Sequence, residues 1–230
     1  MGERHHFDGQ RLVAQLRQWA RELGFSQIGV STVGLHEAEA GLQAWLTQGC
    51  HGSMHYMQRH GLKRARPAEL VPGTLSVITA RMDYLPRATA PGWQAIEWQR
   101  LGDPRQASVS IYARGRDYHK VLRARLQALA DKLAAEVGEL GAACSPTRRR
   151  CSRWNWPRAA AWAGAASTRW LLQREGGSMF FLGEIFVDLA LPATVPVPAH
   201  CGSAAPASRC ARRGHRRALP AGRAALHLAT

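Results

Sequence analysis

The sequence predicts an α/β (α+β) domain in which helices cover a mixed sheet, and three observations predict it. Two amphipathic segments, one near the start and one ending before Gly138, carry apolar residues at helical spacing. Short apolar runs bounded by turn residues, FSQIGVS, LSVITARMDYLP and MFFLGEIFVDL, read as strands. An apolar fraction of 46% over 230 residues supplies enough material for a sizeable core, which excludes disorder throughout.

Taken in order, Asp8 caps a helix whose apolar positions Leu12, Leu16, Trp19, Ala20 and Leu23 share one face, and Gly24 stops it. FSQIGVS presents Phe25, Ile28 and Val30 as a short strand. A second helix, roughly residues 37–48, ends at Gly49, and the segment GCHGSMHYMQRH follows. The turn Pro72 to Thr74 opens LSVITARMDYLP as a buried strand that closes at Pro86. Residues 87–105 show no clean period and read as a surface excursion. Asp117 then opens the longest regular element, with Val121, Leu122, Leu126, Leu129, Leu133 and Val137 on one stripe and Gly138 at its end. From Cys144 the pattern fails, because RRRCSRWNWPRAAAWAGAASTRW sets tryptophans beside arginines at neither period. At Leu171 it resumes with LLQREGGSMFFLGEIFVDLALP, and after His200 it is lost again.

Several function classes are excluded. No apolar run reaches the ~18 residues of a membrane span, and MGERHHFDGQ lacks the apolar segment of a secretory signal. Five irregularly spaced cysteines form no disulfide framework and suit a reducing cytoplasm. The net charge of +15 raises nucleic acid as a partner. That charge is uneven: Cys144 to Trp170 and Ala204 to Thr230 hold six arginines each, with no lysine and no acidic residue. The remaining 176 residues carry only +3. Two sources fit arginine without lysine beside heavy Ala, Gly and Pro. One is a true basic arm, and the other is a G+C-rich coding strand read out of phase.

The stretches ELGFSQIGVS, WLTQGCHGSMHYMQRHGLKRARPAELVPGTLSVITARMDYLP, IYARGRDYHKVLRARL, LLQREGGSMFFLGEIFVDLALP and HCGS together resemble the epoxyqueuosine reductases, a cobalamin-dependent iron-sulfur family of queuosine biosynthesis in tRNA. They cover most of residues 10–203 apart from 144–170. The resemblance implies a cobalamin-binding α/β domain, then a ferredoxin-like module with two [4Fe-4S] clusters, then a small helical repeat domain. It implies a cytoplasmic, monomeric oxidoreductase that acts on tRNA and needs no membrane. It also implies that Arg64, Tyr112, Asp117, Tyr118, His119, Gly177 and Ser178 face the cofactor, and that Cys201 is a first cluster ligand. A corrin disc with amide arms suits tyrosines, backbone donors and an occasional rim charge.

Each residue also has a plainer account. Asp117 is a helix cap, His119 a first-turn surface residue, and GSMFFLGE a core strand after a turn. Cys201 has only Cys210 near it, a gap unlike any ferredoxin spacing, and reads as a free thiol. Cys50, His51 and His55 lack a fourth metal ligand, and Met54, Tyr56 and Met57 read as core or pocket lining.

Between the long helix and Leu171 the family pattern has a DSAPVLE-like segment and AGLGWxGKHTLL, and this sequence has neither. Codons overlapping by one phase bring both back. RCSRWNWP can encode VLEVELA, and AWAGAASTRW can encode LGWRGKHTL. One base inserted after Ser203 lets AAPASRCARR encode CRACIAVCPT, which behind HCGS completes the C-x2-C-x2-C-x3-C-P cluster signature. The expectation is therefore a frameshifted, shortened family member. Residues 1–143 form its N-terminal α/β domain, and 144–170 form an out-of-frame, poorly ordered segment. Residues 171–203 complete the cofactor domain, and 204–230 are an out-of-frame tail replacing the ferredoxin module, a degenerate remnant. The proton-donor aspartate's codon straddles Pro146 and Thr147, so the chain is expected to be inactive. The alternatives are a non-enzymatic cobalamin-binding domain and a basic nucleic-acid binding protein.

Overall fold

A computed structural model describes residues 7–34, 36–59, 66–85, 89–146, 164–165, 171–173 and 177–195. Helix α1, Gly9–Glu22, starts where the Asp8 carboxylate accepts from the N–H groups of Gln10 at 2.9 Å and Arg11 at 3.4 Å. It buries Leu12, Val13, Leu16 and Ala20, and Gly24, at φ 81°, turns the chain into strand β1, Gln27–Thr32. Helix α2, His36–Thr47, and the short α3, His55–Arg59, and α4, Pro67–Leu70, lead to strand β2, Ser76–Asp83. Helix α5, Trp93–Gly102, and a single turn at Ile111–Ala113 precede α6, Tyr118–Val137. Strand β3 spans Ala142–Pro146, β4 Gly164–Ala165, β5 Leu171–Leu172 and β6 Phe180–Val187.

The main sheet has the order β1-β2-β6-β3, with β4 and β5 pairing separately. All three of its pairings are antiparallel, which corrects the expected mixed sheet. The physical reason lies in the order. The α5–α6 crossover brings β3 back in the direction of β2, as a strand-helix-strand sequence should. The later β6 fills the gap between them and runs opposite to both.

Helices α1 and α6 cover one face of the sheet. Their buried Leu12, Leu16, Leu126, Leu129 and Leu133 meet Ile28, Val30, Ile78, Ile185 and Val187 in the principal core. Gly183 is required there, because a Cβ on it would stand 2.6 Å from Leu126 Cδ1. On the opposite face a smaller cluster joins Val77 and Phe186 to Leu70, Val71 and Ala143. After β6 the chain crosses back as a strap. The Leu191 N–H donates to Ser76 Oγ at 3.0 Å, and the Val30 N–H donates to Thr194 Oγ1 at 2.9 Å. The Thr194 N–H in turn donates to the Val30 carbonyl at 2.9 Å.

Two expectations change. The excursion at 87–105 contains α5, which is regular yet buries nothing, so it has no apolar stripe for a sequence to display. The domain boundary expected after residue 143 falls inside β3, a strand that continues to Pro146. Of the segment 144–170, residues 147–163 and 166–170 lie outside the described residues, as do Trp154, Trp156, Trp162 and the whole tail 204–230. Among the described residues no helix is long and apolar enough to cross a membrane.

Candidate functional site

The N-terminus of α6, the end of β2 and the start of β6 meet at one end of the sheet, and their aromatic rings converge there. Asp117 fixes the first turn of α6, its carboxylate accepting from the His119 N–H at 2.9 Å. Tyr118 is thereby held flat on Phe181, with ring centres 4.1 Å apart and planes 2° from parallel. The His119 ring lies 4.0 Å from that of Tyr118. Tyr84, just beyond β2, sits 4.9 Å from Phe181 and 6.5 Å from Tyr112, and Tyr112 closes the ring of contacts 6.2 Å from Tyr118.

Backbone bonds fix the lower edge of this cluster. The Tyr84 N–H donates to the Met179 carbonyl at 3.1 Å, and Gly177, at φ 61°, exchanges two 2.9 Å hydrogen bonds with Gln173. Gly177 and Ser178 are exposed immediately before β6. An ion pair anchors the far side. Arg114, two residues after Tyr112, clasps Glu97 of α5 through both guanidinium nitrogens and also donates from Nε to the Val109 carbonyl at 2.8 Å. Arg114 holds the Glu97 carboxyl below the ordinary glutamate range.

Phe181 is buried, Tyr84, Tyr118 and His119 are half-buried, and Tyr112 is 49% exposed. The cluster is thus a flat apolar surface with hydroxyl and imidazole groups at its rim. Burial, reinforced by neighbouring Tyr112, pushes the Tyr84 phenol up, so it stays a hydrogen-bond donor at neutral pH.

Of the residues proposed from sequence, Tyr112, Asp117, Tyr118 and His119 gather here, and Gly177 and Ser178 border the strand that carries Phe181. Asp117 acts as a cap in this arrangement. Arg64 and Cys201 lie outside the described residues. Tyr84 escaped the sequence reading; its only local sign is a tyrosine at a strand end two residues before Pro86. Elsewhere Cys50 is exposed, and the His51 and His55 rings stand 6.5 Å apart. Among the described residues no three His, Cys, Asp or Glu side chains converge as a metal site.

The family model described as "Epoxyqueuosine reductase QueG, DUF1730" matches residues 64–145. An epoxyqueuosine reductase of Alicycliphilus denitrificans is 58% identical over 193 residues, covering 84% of this chain and 54% of the relative. A crystal structure of a selenomethionine-labelled epoxyqueuosine reductase superposes with a TM-score of 0.70 at 21% identity, over 85% of this chain and 50% of that one. Another, an epoxyqueuosine reductase with an epoxyqueuosine-modified tRNA-Tyr stem loop, gives 0.69 at 19% identity, over the same shares. The sequence match to this family is strong, and the mixed α/β fold is the one its structures have. The chain spans about half the length of the curated relatives it matches.

Proposed function

We infer that the gene is that of an epoxyqueuosine reductase, and that residues 1–143 and 171–203 build the domain that cradles its cobalamin. The observation that carries this is the convergence of Tyr84, Tyr112, Tyr118, His119 and Phe181 at one end of the sheet. A half-open aromatic surface with polar groups at its edge fits a flat macrocycle whose rim bears amides. Bound cobalamin supplies the strongly reducing metal that carbon-oxygen cleavage needs and side chains lack.

The chain's own groups have separate tasks. Phe181 and Tyr118 form the flat backing, and Tyr84 donates its retained phenolic proton at the rim. Tyr112, Arg64, Gly177 and Ser178 complete the border, and Asp117 sets the turn that presents His119. The tRNA stem loop seen with a solved relative supports tRNA as the partner of the intact reductase, a cytoplasmic monomer that requires no membrane.

Proton and electron delivery do not fit this chain. The reduction leaves developing negative charge on oxygen, for which a carboxylic acid of raised pKa is the suitable donor. Beyond Pro146 the sequence offers arginines where the family pattern has its aspartate, and Asp83 and Asp117 stand elsewhere. Cys201 and Cys210 alone cannot hold a [4Fe-4S] cluster, which takes four thiolates. Two slips of reading phase account for both losses and for the lysine-free charge of the two windows. The chain as written retains the cofactor cradle without turnover.

The test is reconstitution of the purified chain with hydroxocobalamin. A shifted corrin spectrum that survives gel filtration, no bound iron and no epoxyqueuosine turnover with a chemical reductant are expected. Turnover would overturn the inactivity, and lack of corrin binding would overturn the cradle. Nucleotide reads across the two arginine-rich windows test the phase slips directly, and reads that give this peptide without an insertion or deletion would refute them.

A further inference from the structure

We propose that the sheet face opposite α1 and α6 carries a carboxamide-binding row, Thr79, Arg81 and Glu184, that takes amide arms of the corrin; this rests on the cobalamin reading above. Alternate residues of β2 divide between the two faces. Ile78, Ala80 and Met82 enter the helix-covered core, and Val77 packs in the cluster on the other side, so Thr79 and Arg81 share that second face. Glu184 stands directly opposite Thr79 on β6, and on β1 the partner of Thr79 is Gly29, which adds no side chain to the row.

These groups are buried with unmet hydrogen-bonding capacity. Thr79 is fully buried and its Oγ1 has no partner. Arg81 is 6% exposed, and neither its Nε nor its terminal nitrogen NH1 makes a hydrogen bond. Its other terminal nitrogen donates to Asp83 Oδ2 at 3.3 Å. Its Nε lies 3.1 Å from Asp83 Oδ1, near enough to pair charges but out of line for a hydrogen bond. The ring of Phe180 sits 5.8 Å from the guanidinium carbon. Buried donors left unpaired forfeit their hydration without replacement, and such groups in native proteins call for a functional reason.

Charge selects the ligand. An anion drawn by Arg81 would meet the carboxylates of Asp83 and Glu184, and a cation would meet the guanidinium. A neutral primary amide suits both, its carbonyl oxygen accepting from Arg81 and Thr79 and its N–H2 donating towards a carboxylate. The corrin rim bears such amides, and the row lies on the strands whose ends carry the aromatic cluster.

The test compares hydroxocobalamin with cobyrinic acid heptamethyl ester, a corrin whose amides are replaced by esters, by absorbance titration of the full chain. The unsubstituted chain should prefer the amide corrin by about fivefold or more, the worth of one ordinary hydrogen bond. Thr79→Val and Arg81→Met should each shrink that preference, and Thr79→Ser should restore it. Equal affinity of the unsubstituted chain for the two corrins overturns the row even if the variants misfold. So does unchanged discrimination in well-folded Thr79→Val and Arg81→Met, and either outcome leaves the cobalamin reading standing. No affinity for any corrin overturns both.

Discussion

Tyr84 shows how a single residue acquires its chemistry from position. Its phenol is pushed up first by burial and then by Tyr112, so its folded pKa exceeds the unfolded one. The resulting contribution to stability is complete below the ordinary tyrosine range, and it is lost as pH rises through the folded value. In an ultraviolet titration one tyrosine should ionise later than the rest, and Tyr84→Phe should abolish that late step; a late step that persists in the variant would assign the shift elsewhere. Caps such as Asp8 and Asp117 could be read from the chain because a cap bonds within its own turn. Tyr84 could not, since Phe181 and Tyr112 reach it only through the tertiary fold.

Among elements, the contact of α6 on β6 is the tightest packing requirement. A methyl on Gly183 must displace Leu126, so Gly183→Ala should lose about 1–3 kcal/mol in urea unfolding. Leu126→Ala, which empties a fully buried site, should lose about 2–5 kcal/mol. Together they should cost less than the sum, because the new methyl occupies space the leucine vacated; strict additivity would contradict the contact. Helices α1, α2 and α6 and strands β1, β2 and β6 were legible because each has a period or a bounding turn of its own. Strand β3 was not: AACSP carries no alternation and is held by pairing with β6. Helix α5 was not, since its apolar Ile96, Trp98 and Leu101 face solvent.

For the whole molecule, sequence and structure speak to different halves of the question. The family resemblance rested on short stretches scattered along the chain, and the structure gathers three of them, RMDYLP, IYARGRDYHK and GGSMFFLGE, at one end of a sheet. The antiparallel arrangement could not be foreseen from strand-helix-strand order, because β6, last in the chain among the sheet's strands, inserts between two earlier ones. The strap after β6 also guards against self-association. Thr194 occupies both hydrogen-bonding groups of Val30 on the outer edge of the terminal strand, leaving a second copy less backbone to recruit. Thr194→Pro removes the amide donor and the hydroxyl acceptor at once, and light scattering should then register concentration-dependent oligomers beyond those of the parent chain.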